Sequence, residues 1–321
     1  AAARLAAQPL SSLALLLLGY AALVMAKDAT VPLRATQVGA HSWYVLGQSG
    51  AASRANQGFM SNAGFVVTTD GVIVFDSLGT PALASKLIAE IRKVTQQPIR
   101  RVIVSHWHAD HYYGLQAFKK LGAEIWAHEA AKVVLGSDAA ADRLAQRRDI
   151  LGPWIDAGFK AVPADVWLAG DTDFQLGGLT FRLRHVGPAH APDDVVMFVE
   201  EDRVLFSGDV VFKGRVPFVG EADSKAWLAA LDRLLAFDPR VMVPGHGAAS
   251  RTPRADLALT HDYLTDLRTQ MGRAVADFVP FEEAYAAADW TRWKDLPAYH
   301  EAHRRNAYNT YLRMEQESLG R

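Results

Sequence analysis

The chain opens its strand-like pattern with three short β-branched and aromatic runs, Trp43–Gly47, Gly64–Thr69 and Val72–Asp76. Thr69-Asp70-Gly71, between the last two, is a hairpin turn signal. The period then changes. Pro81–Val94 places Leu83, Leu87, Ile88 and Ile91 on one face of a helix. Arg101–Ser105, with its apolar centre VIV, reads as a buried strand, Tyr113–Leu121 as a helix and Glu124–Ala127 as a strand. Residues 128–160 are mostly helical in pattern and contain Gly152-Pro153, Trp154, Ile155 and Phe159.

Strands resume at Asp173–Gln175, Thr180–His185, Val195–Glu200 and Arg203–Ser207. Asp223–Ala236 reads as a helix and Val241–Val243 as a strand. From Pro253 to Arg321 the pattern is helical, with breaks near Pro280 and Pro297. There is no internal repeat by identity, no low-complexity linker and no long charge run. Both halves nonetheless share a rhythm of strands followed by a helix and a strand. That rhythm predicts an α/β fold with two sheets sandwiched between helices.

Composition narrows the chemistry. The 321 residues carry 34 Lys+Arg against 35 Asp+Glu, a net charge of -1, and half of them are hydrophobic. This is a globular composition, with no electrostatic reason to expect a nucleic-acid partner. The chain contains no cysteine, so a disulfide, a thiolate zinc site and a thiol nucleophile are all excluded. A metal would have to be held by histidine and carboxylate. Near the start, Arg4 precedes an apolar run from Leu10 to Ala26, and Val24-Met25-Ala26 has the small-residue character of a cleavage site. Residues 1–26 are therefore expected to be a secretory signal peptide, with an uncleaved anchor as the alternative. Either places the remainder in the periplasm or outside the cell.

Candidate chemistry falls after predicted strands. His106-Trp107-His108-Ala109-Asp110-His111 follows Arg101–Ser105 and packs four metal-capable side chains into six residues. Clustering them with no cation would crowd partly charged rings for no gain. Gly187-Pro188-Ala189-His190, Ser207-Gly208-Asp209 and Pro244-Gly245-His246-Gly247 each follow a further strand. Each is weak alone, since a lone histidine after a strand is usually structural and Gly-Asp is usually a turn. Together the four groups supply five His and two Asp, which strands of one sheet system can deliver to a common rim. The other six histidines, His41, His128, His185, His261, His300 and His303, lack ligand spacing to the cluster; His128 and His185, near strand ends, come nearest to being exceptions.

His-x-His-x-Asp-His, then a His, then Gly-Asp, then Gly-His, in this order, resembles the metallo-β-lactamase superfamily, and in particular its dinuclear hydrolases such as glyoxalase II. The resemblance covers roughly residues 36–250. It implies an αββα metallo-β-lactamase sandwich over 27–252, with a helical insertion at 128–160 and a C-terminal helical extension at 253–321. Carried over, it implies one metal on His106, His108 and His190, a second on Asp110, His111 and His246, and Asp209 bridging them. Two Zn²⁺ suit these ligands, though Fe or Mn would also be accepted. Asp209 stands where one β-lactamase subclass has cysteine, which argues against that subclass; the subclass relying on His and Asp generally lacks a bridging Asp there. Asp76 and Asp194 match supporting positions that orient ligands.

The resemblance further implies a metal-bridging hydroxide that attacks a carbonyl, with Asp110 orienting it and handling its proton. The expected partner is a small-molecule ester, thioester or lactam. Arg215 and Lys213 are candidates to bind an anionic group of it, and Trp154, Phe159, Phe212 and Phe218 to form an apolar wall. The stretches SGDVVFKGRVPFVGEADS and RRNAYNTYLRMEQE are similar to exported metallohydrolases associated with quinoprotein and sulfur-oxidation systems. Three alternatives remain: a β-lactamase or glyoxalase II-like thioesterase, a mononuclear iron dioxygenase using His106, His190 and Asp209, and a binding protein that keeps the site without turnover.

Overall fold

The computed structural model describes residues 27–220 and 222–320, so the signal-peptide expectation for residues 1–26 lies outside the described residues. Its strands are β1 (Ala35–Gln37), β2 (Ser42–Val45), β3 (Ala63–Thr68), β4 (Gly71–Phe75), β5 (Ile99–Ile103), β6 (Glu124–His128), β7 (Val166–Leu168), β8 (Thr172–Leu176), β9 (Leu179–His185), β10 (Val195–Val199), β11 (Val204–Phe212) and β12 (Val241–His246). The helices are α1 (Pro81–Val94), α2 (Ala109–Tyr112), α3 (Leu115–Lys119), α4 (Ala131–Leu135), α5 (Asp138–Leu151), α6 (Ser224–Leu234), α7 (Pro253–Asp256), α8 (Ala258–Ala276), α9 (Phe281–Ala287) and α10 (Tyr299–Ser318).

β1 to β7 form one sheet in sequence order. Its pairs are antiparallel up to β4 and parallel from β4 to β7. The second sheet runs β12-β11-β10-β9-β8, with only β11 and β12 parallel. Alternation along each strand divides the core. In β4, Ile73 and Phe75 face the layer between the sheets, where they join Met197, Val199 and Phe206. Val72 and Val74 face outward against Leu83, Leu87 and Ile91 of α1. In β10, Val196 and Phe198 face outward, into the layer holding Trp227 of α6 and Tyr263, Leu264 and Leu267 of α8. Both faces of each central strand are thus covered, which is why these runs read as continuously apolar. The result is the expected αββα sandwich with C-terminal helices.

α1 begins where the sequence predicts, because Thr80 Oγ1 accepts from Leu83 N and Pro81 occupies the first turn. Other expectations need correction. The segment 128–160 is helical only over α4 and α5. From Gly152 onward it turns, because Gly152-Pro153 cannot extend α5. β1 and β7, three residues each, lack a readable period. β11 and β12 run past the expected ends at Ser207 and Val243, so Gly208-Asp209 and Gly245-His246 lie inside strands rather than after them. They continue because each completes the parallel ladder of the other, with register shifts at Gly208. Among the described residues no helix is long and apolar enough to cross a membrane.

Candidate metal centre

The centre lies where β4, β5, β11 and β12 reach one edge of the sandwich. β5 leads directly into Ser105 and His106. His108 caps α2, whose single turn carries Asp110 and His111. The loop between β9 and β10 brings His190. Gly208 adopts the left-handed region, φ 52°, and turns β11 at Asp209.

Two groups of donor atoms converge: His106, His108, His190 and Asp209 in one, and Asp110, His111 and His246 in the other. All seven residues are buried. His108 Nδ1 lies 3.0 Å from His106 Nε2 and 2.8 Å from His190 Nε2. Asp110 Oδ2 is 3.5 Å from His111 Nε2 and 3.4 Å from His246 Nε2. Asp209 joins the groups: Oδ1 is 3.1 Å from His111 Nε2, while Oδ2 is 3.4 Å from His190 Nε2 and 3.3 Å from His246 Nε2.

The outer nitrogens of His106, His111 and His246 are held by protein groups, which leaves their inner ones free. Asp76 sits just past β4 and accepts from the amide and hydroxyl of Ser105 and from His111 Nδ1. Ser105 Oγ, having donated to Asp76, accepts from His106 Nδ1 at 2.9 Å. One carboxylate therefore orients two imidazoles so that both turn Nε2 inward. His246 Nδ1 donates to the Met60 carbonyl at 2.7 Å. Asp194 accepts from Ala191 N at 2.6 Å and fixes the loop bearing His190.

Charge is divided sharply. Burial, and then the neighbouring His111, holds His106 well below the usual imidazole range; burial followed by His106 and His190 does so for His108. Burial brings His190 down to about 4. Burial would push Asp110 and Asp209 up, but the adjoining His111 and His246 outweigh it and hold both well below the carboxylate range. His111 and His246 are correspondingly raised, Asp209 overcoming their burial. Burial raises Asp76 and Asp194.

This donor set fits a dinuclear metal site. Three uncharged imidazoles aim lone pairs at one point. Asp110 Oδ2, His111 Nε2 and Asp209 Oδ1 are buried without a hydrogen-bond partner. Orphaned donors and acceptors of this kind are costly, and a cation satisfies them together.

The substrate-side expectations divide. Phe218 stands over the first group, its ring 5.9 Å from that of His108 and 6.4 Å from that of His190. Trp154 is corrected: it is buried in the apolar layer outside the first sheet, and its Nε1 donates to the Asp28 carbonyl. Phe159 lies in the same layer, against Tyr113. Phe212 is fully buried beneath His246, stacked on its ring. Lys213 is also corrected, because its ammonium pairs with Asp256 at 2.6 Å. Arg215 is near the centre but only 4% exposed, and it donates to the Gly50 and Val216 carbonyls. His128 and His185 stack on each other, ring centroids 3.6 Å apart, and belong to neither donor group.

Sequence reading missed the buried polar frame. Ser61 and Ser77 donate to the carbonyls of Asp110 and His111. Asn62 donates to the carbonyls of Pro244 and Gly247, bracing the turn that carries His246. Only Ser105, adjoining the histidine cluster, had a signal in the chain.

The family model of the metallo-beta-lactamase superfamily matches residues 56–246. A linear primary-alkylsulfatase of a Pseudomonas species is 30% identical over 211 residues, 56% of this chain. The chain spans 40% of that relative's length. A type 2 metallo-beta-lactamase of Elizabethkingia meningoseptica is 25% identical over 193 residues, covering 59% of this chain and 69% of that one. Among solved structures, a metallo-beta-lactamase from Pontibacter korlensis superposes with a TM-score of 0.58 at 22% identity, covering 73% of this chain and 99% of that one. At that identity the likeness shows the fold.

Proposed function

We propose that this chain, which belongs to the metallo-beta-lactamase superfamily of metallo-hydrolases, is a dinuclear zinc enzyme that hydrolyses an ester, thioester or lactam. The observation that carries the proposal is the pair of converging donor groups, buried and sharing Asp209. His106, His108 and His190 would hold one metal and Asp110, His111 and His246 the other, with Asp209 between them. Two such cations would supply Lewis acidity and acidify water towards neutral pH.

The protein's own residues do the rest. Asp209, reaching both groups, fixes the spacing of the two halves. Asp76, through Ser105 and directly, keeps the rings of His106 and His111 from rotating. Asp110 faces the centre with Oδ2 free of other partners, placed to orient the attacking water and receive its proton. Phe218 supplies an apolar wall beside His108 and His190. The apolar run at residues 10–26 supports a periplasmic or secreted enzyme acting on a small molecule.

A second reading, hydrolysis of a sulfate ester, is favoured by the 30% identity to an alkylsulfatase. The deciding experiment is metal content by mass spectrometry, run beside a hydrolysis screen with nitrocefin, a thioester and an alkyl sulfate. About two zinc per chain with turnover of any of these supports the hydrolase, and the preferred substrate separates the readings. About one iron per chain, with oxygen-dependent turnover of sulfur compounds, overturns it.

A further inference from the structure

His108 contacts Trp107 as well as Phe218, the Trp107 ring 4.6 Å from its own. The guanidinium of Arg143 lies over the Trp107 ring, 4.8 Å from its centroid. Arg143 comes from α5, which packs on α2 and so on the turn bearing Asp110 and His111. Its Nε is buried and has no hydrogen-bond partner, and neither does Trp107 Nε1. Arg143 is within electrostatic reach of Asp110, of Arg147 one turn further along α5, and of Arg305 on α10. Arg147 in turn acts on Tyr113 and on Arg215. Among the described residues Arg143, Arg147 and Arg305 have neither a salt bridge nor a hydrogen bond, whereas the neighbouring Arg304 is paired with Glu282.

Like charges one turn apart on a helix repel. Gathering three guanidinium groups without carboxylate partners is unfavourable unless something anionic joins them. The carboxylate that acts on Arg143 is Asp110 of the centre, and two divalent cations would more than cancel Asp110 and Asp209. Arginine is also the side chain whose planar fork fits an oxyanion. The cation–π contact with Trp107 holds the Arg143 guanidinium beside the histidine cluster.

We propose that Arg143, with Arg147 and Arg305 beside it, forms an oxyanion-recognition subsite at the mouth of the metal centre. The substrate is then an organic anion whose carboxylate, sulfate or phosphate group docks on Arg143 while its scissile bond lies at the donor groups. This rests on the hydrolase reading above and assigns its substrate class. It also moves anion recognition from Arg215 and Lys213, both already engaged, to the helical insertion.

The test uses the zinc-loaded full chain and two 4-nitrophenyl esters with the same leaving group, one neutral and one ending in a carboxylate. The wild type should prefer the charged ester. Arg143→Gln should erase that preference through a rise in KM of about tenfold, leaving the neutral ester nearly unchanged, and Arg143→Lys should keep part of it. The preference should shrink as salt is raised. Inorganic sulfate and acetate, titrated calorimetrically, distinguish the kinds of anion, and their binding should weaken in Arg143→Gln. Should that variant fail to fold, the part-exposed Arg147→Gln carries the same comparison. A wild type indifferent to substrate charge, or an arginine variant that retains both preference and anion binding, overturns the subsite. If neither ester is turned over although two metals are bound, esters are excluded as the substrate and the hydrolase reading passes to the thioester, lactam and sulfate screen; arginine-dependent sulfate binding then still upholds the subsite, and arginine-independent binding overturns it.

Discussion

Asp209 is the residue on which both halves of the centre depend, because its two oxygens face different imidazoles. Asp209→Ala should lower metal stoichiometry and abolish hydrolysis. His261→Ala, half-exposed on α8 beside Asp262, should change neither. Full loading of the Asp209 variant, read by mass spectrometry, would contradict the ligand assignment. Asp76 makes no contact with the donor points, yet it orients two rings. Asp76→Asn should weaken metal affinity by about ten- to a hundredfold in a chelator competition, while Lys93→Gln on the exposed end of α1 leaves it unchanged. Equal affinities would show that the rings hold their orientation without the carboxylate. The donors themselves were legible in the chain, since four of them share six residues. Their frame was not: Ser61, Asn62 and Ser77 are common polar residues whose role exists only because the fold buries them against site carbonyls.

At the scale of elements, the strand ends set the geometry. Gly245 of β12 approaches Asp209 so closely that a methyl group there would collide with the carboxylate. Gly245→Ala should therefore reduce metal loading although it changes no donor; a normally loaded variant would mean that β11 and β12 can shift apart. α10 acts from behind. Asn306 accepts from Val219 N and donates to the Pro217 carbonyl and to Tyr263 Oη, clamping the segment that carries Phe218. The period of hydrophobic residues exposed α1, β3, β4 and β9 in the sequence. It did not expose the ends of β11 and β12, because Gly208-Asp209 interrupts the apolar run of β11 and Pro244-Gly245-His246 closes β12. Those residues read as turns, and they stay in strands only by pairing with each other.

For the whole molecule, the centre gathers buried titratable groups at the ends of strands from both sheets. Ligand that binds only the folded state raises stability, so removing metal with a chelator should lower the melting temperature and make it depend on added zinc. An unchanged transition would argue that no metal is bound in the folded protein. The C-terminal helices supply a separate pH response. His303 is buried among Trp290, Tyr299 and Tyr263, and burial brings its pKa down to about 4. An unfolded chain gains this proton near pH 6.5, the folded one only near 4. The stability contributed by neutral His303 is therefore complete above about pH 6.5 and is lost as pH falls from there to about 4. In denaturant titrations of metal-free protein, His303→Gln should be weaker at pH 8 yet lose less stability than the wild type between pH 7 and pH 4.5. Parallel losses would assign the acid sensitivity elsewhere.

The sequence by itself determined the two-sheet plan, through its alternating and helical periods, and the chemistry of the centre, through the absence of cysteine and the density of His and Asp. Those properties are local in the chain, so a linear reading reaches them. The tertiary structure alone decided which aromatic and cationic side chains face the cleft. Trp154 and Phe159 went to the core because α5 ends at Gly152-Pro153 and the chain then turns them into the apolar layer outside the first sheet. Lys213 was claimed by Asp256, and Arg215 by backbone carbonyls. Arg143, unmarked in sequence, came to the mouth because α5 packs on α2. Burial and proximity between distant segments are settled by packing, and residue type carries no record of them.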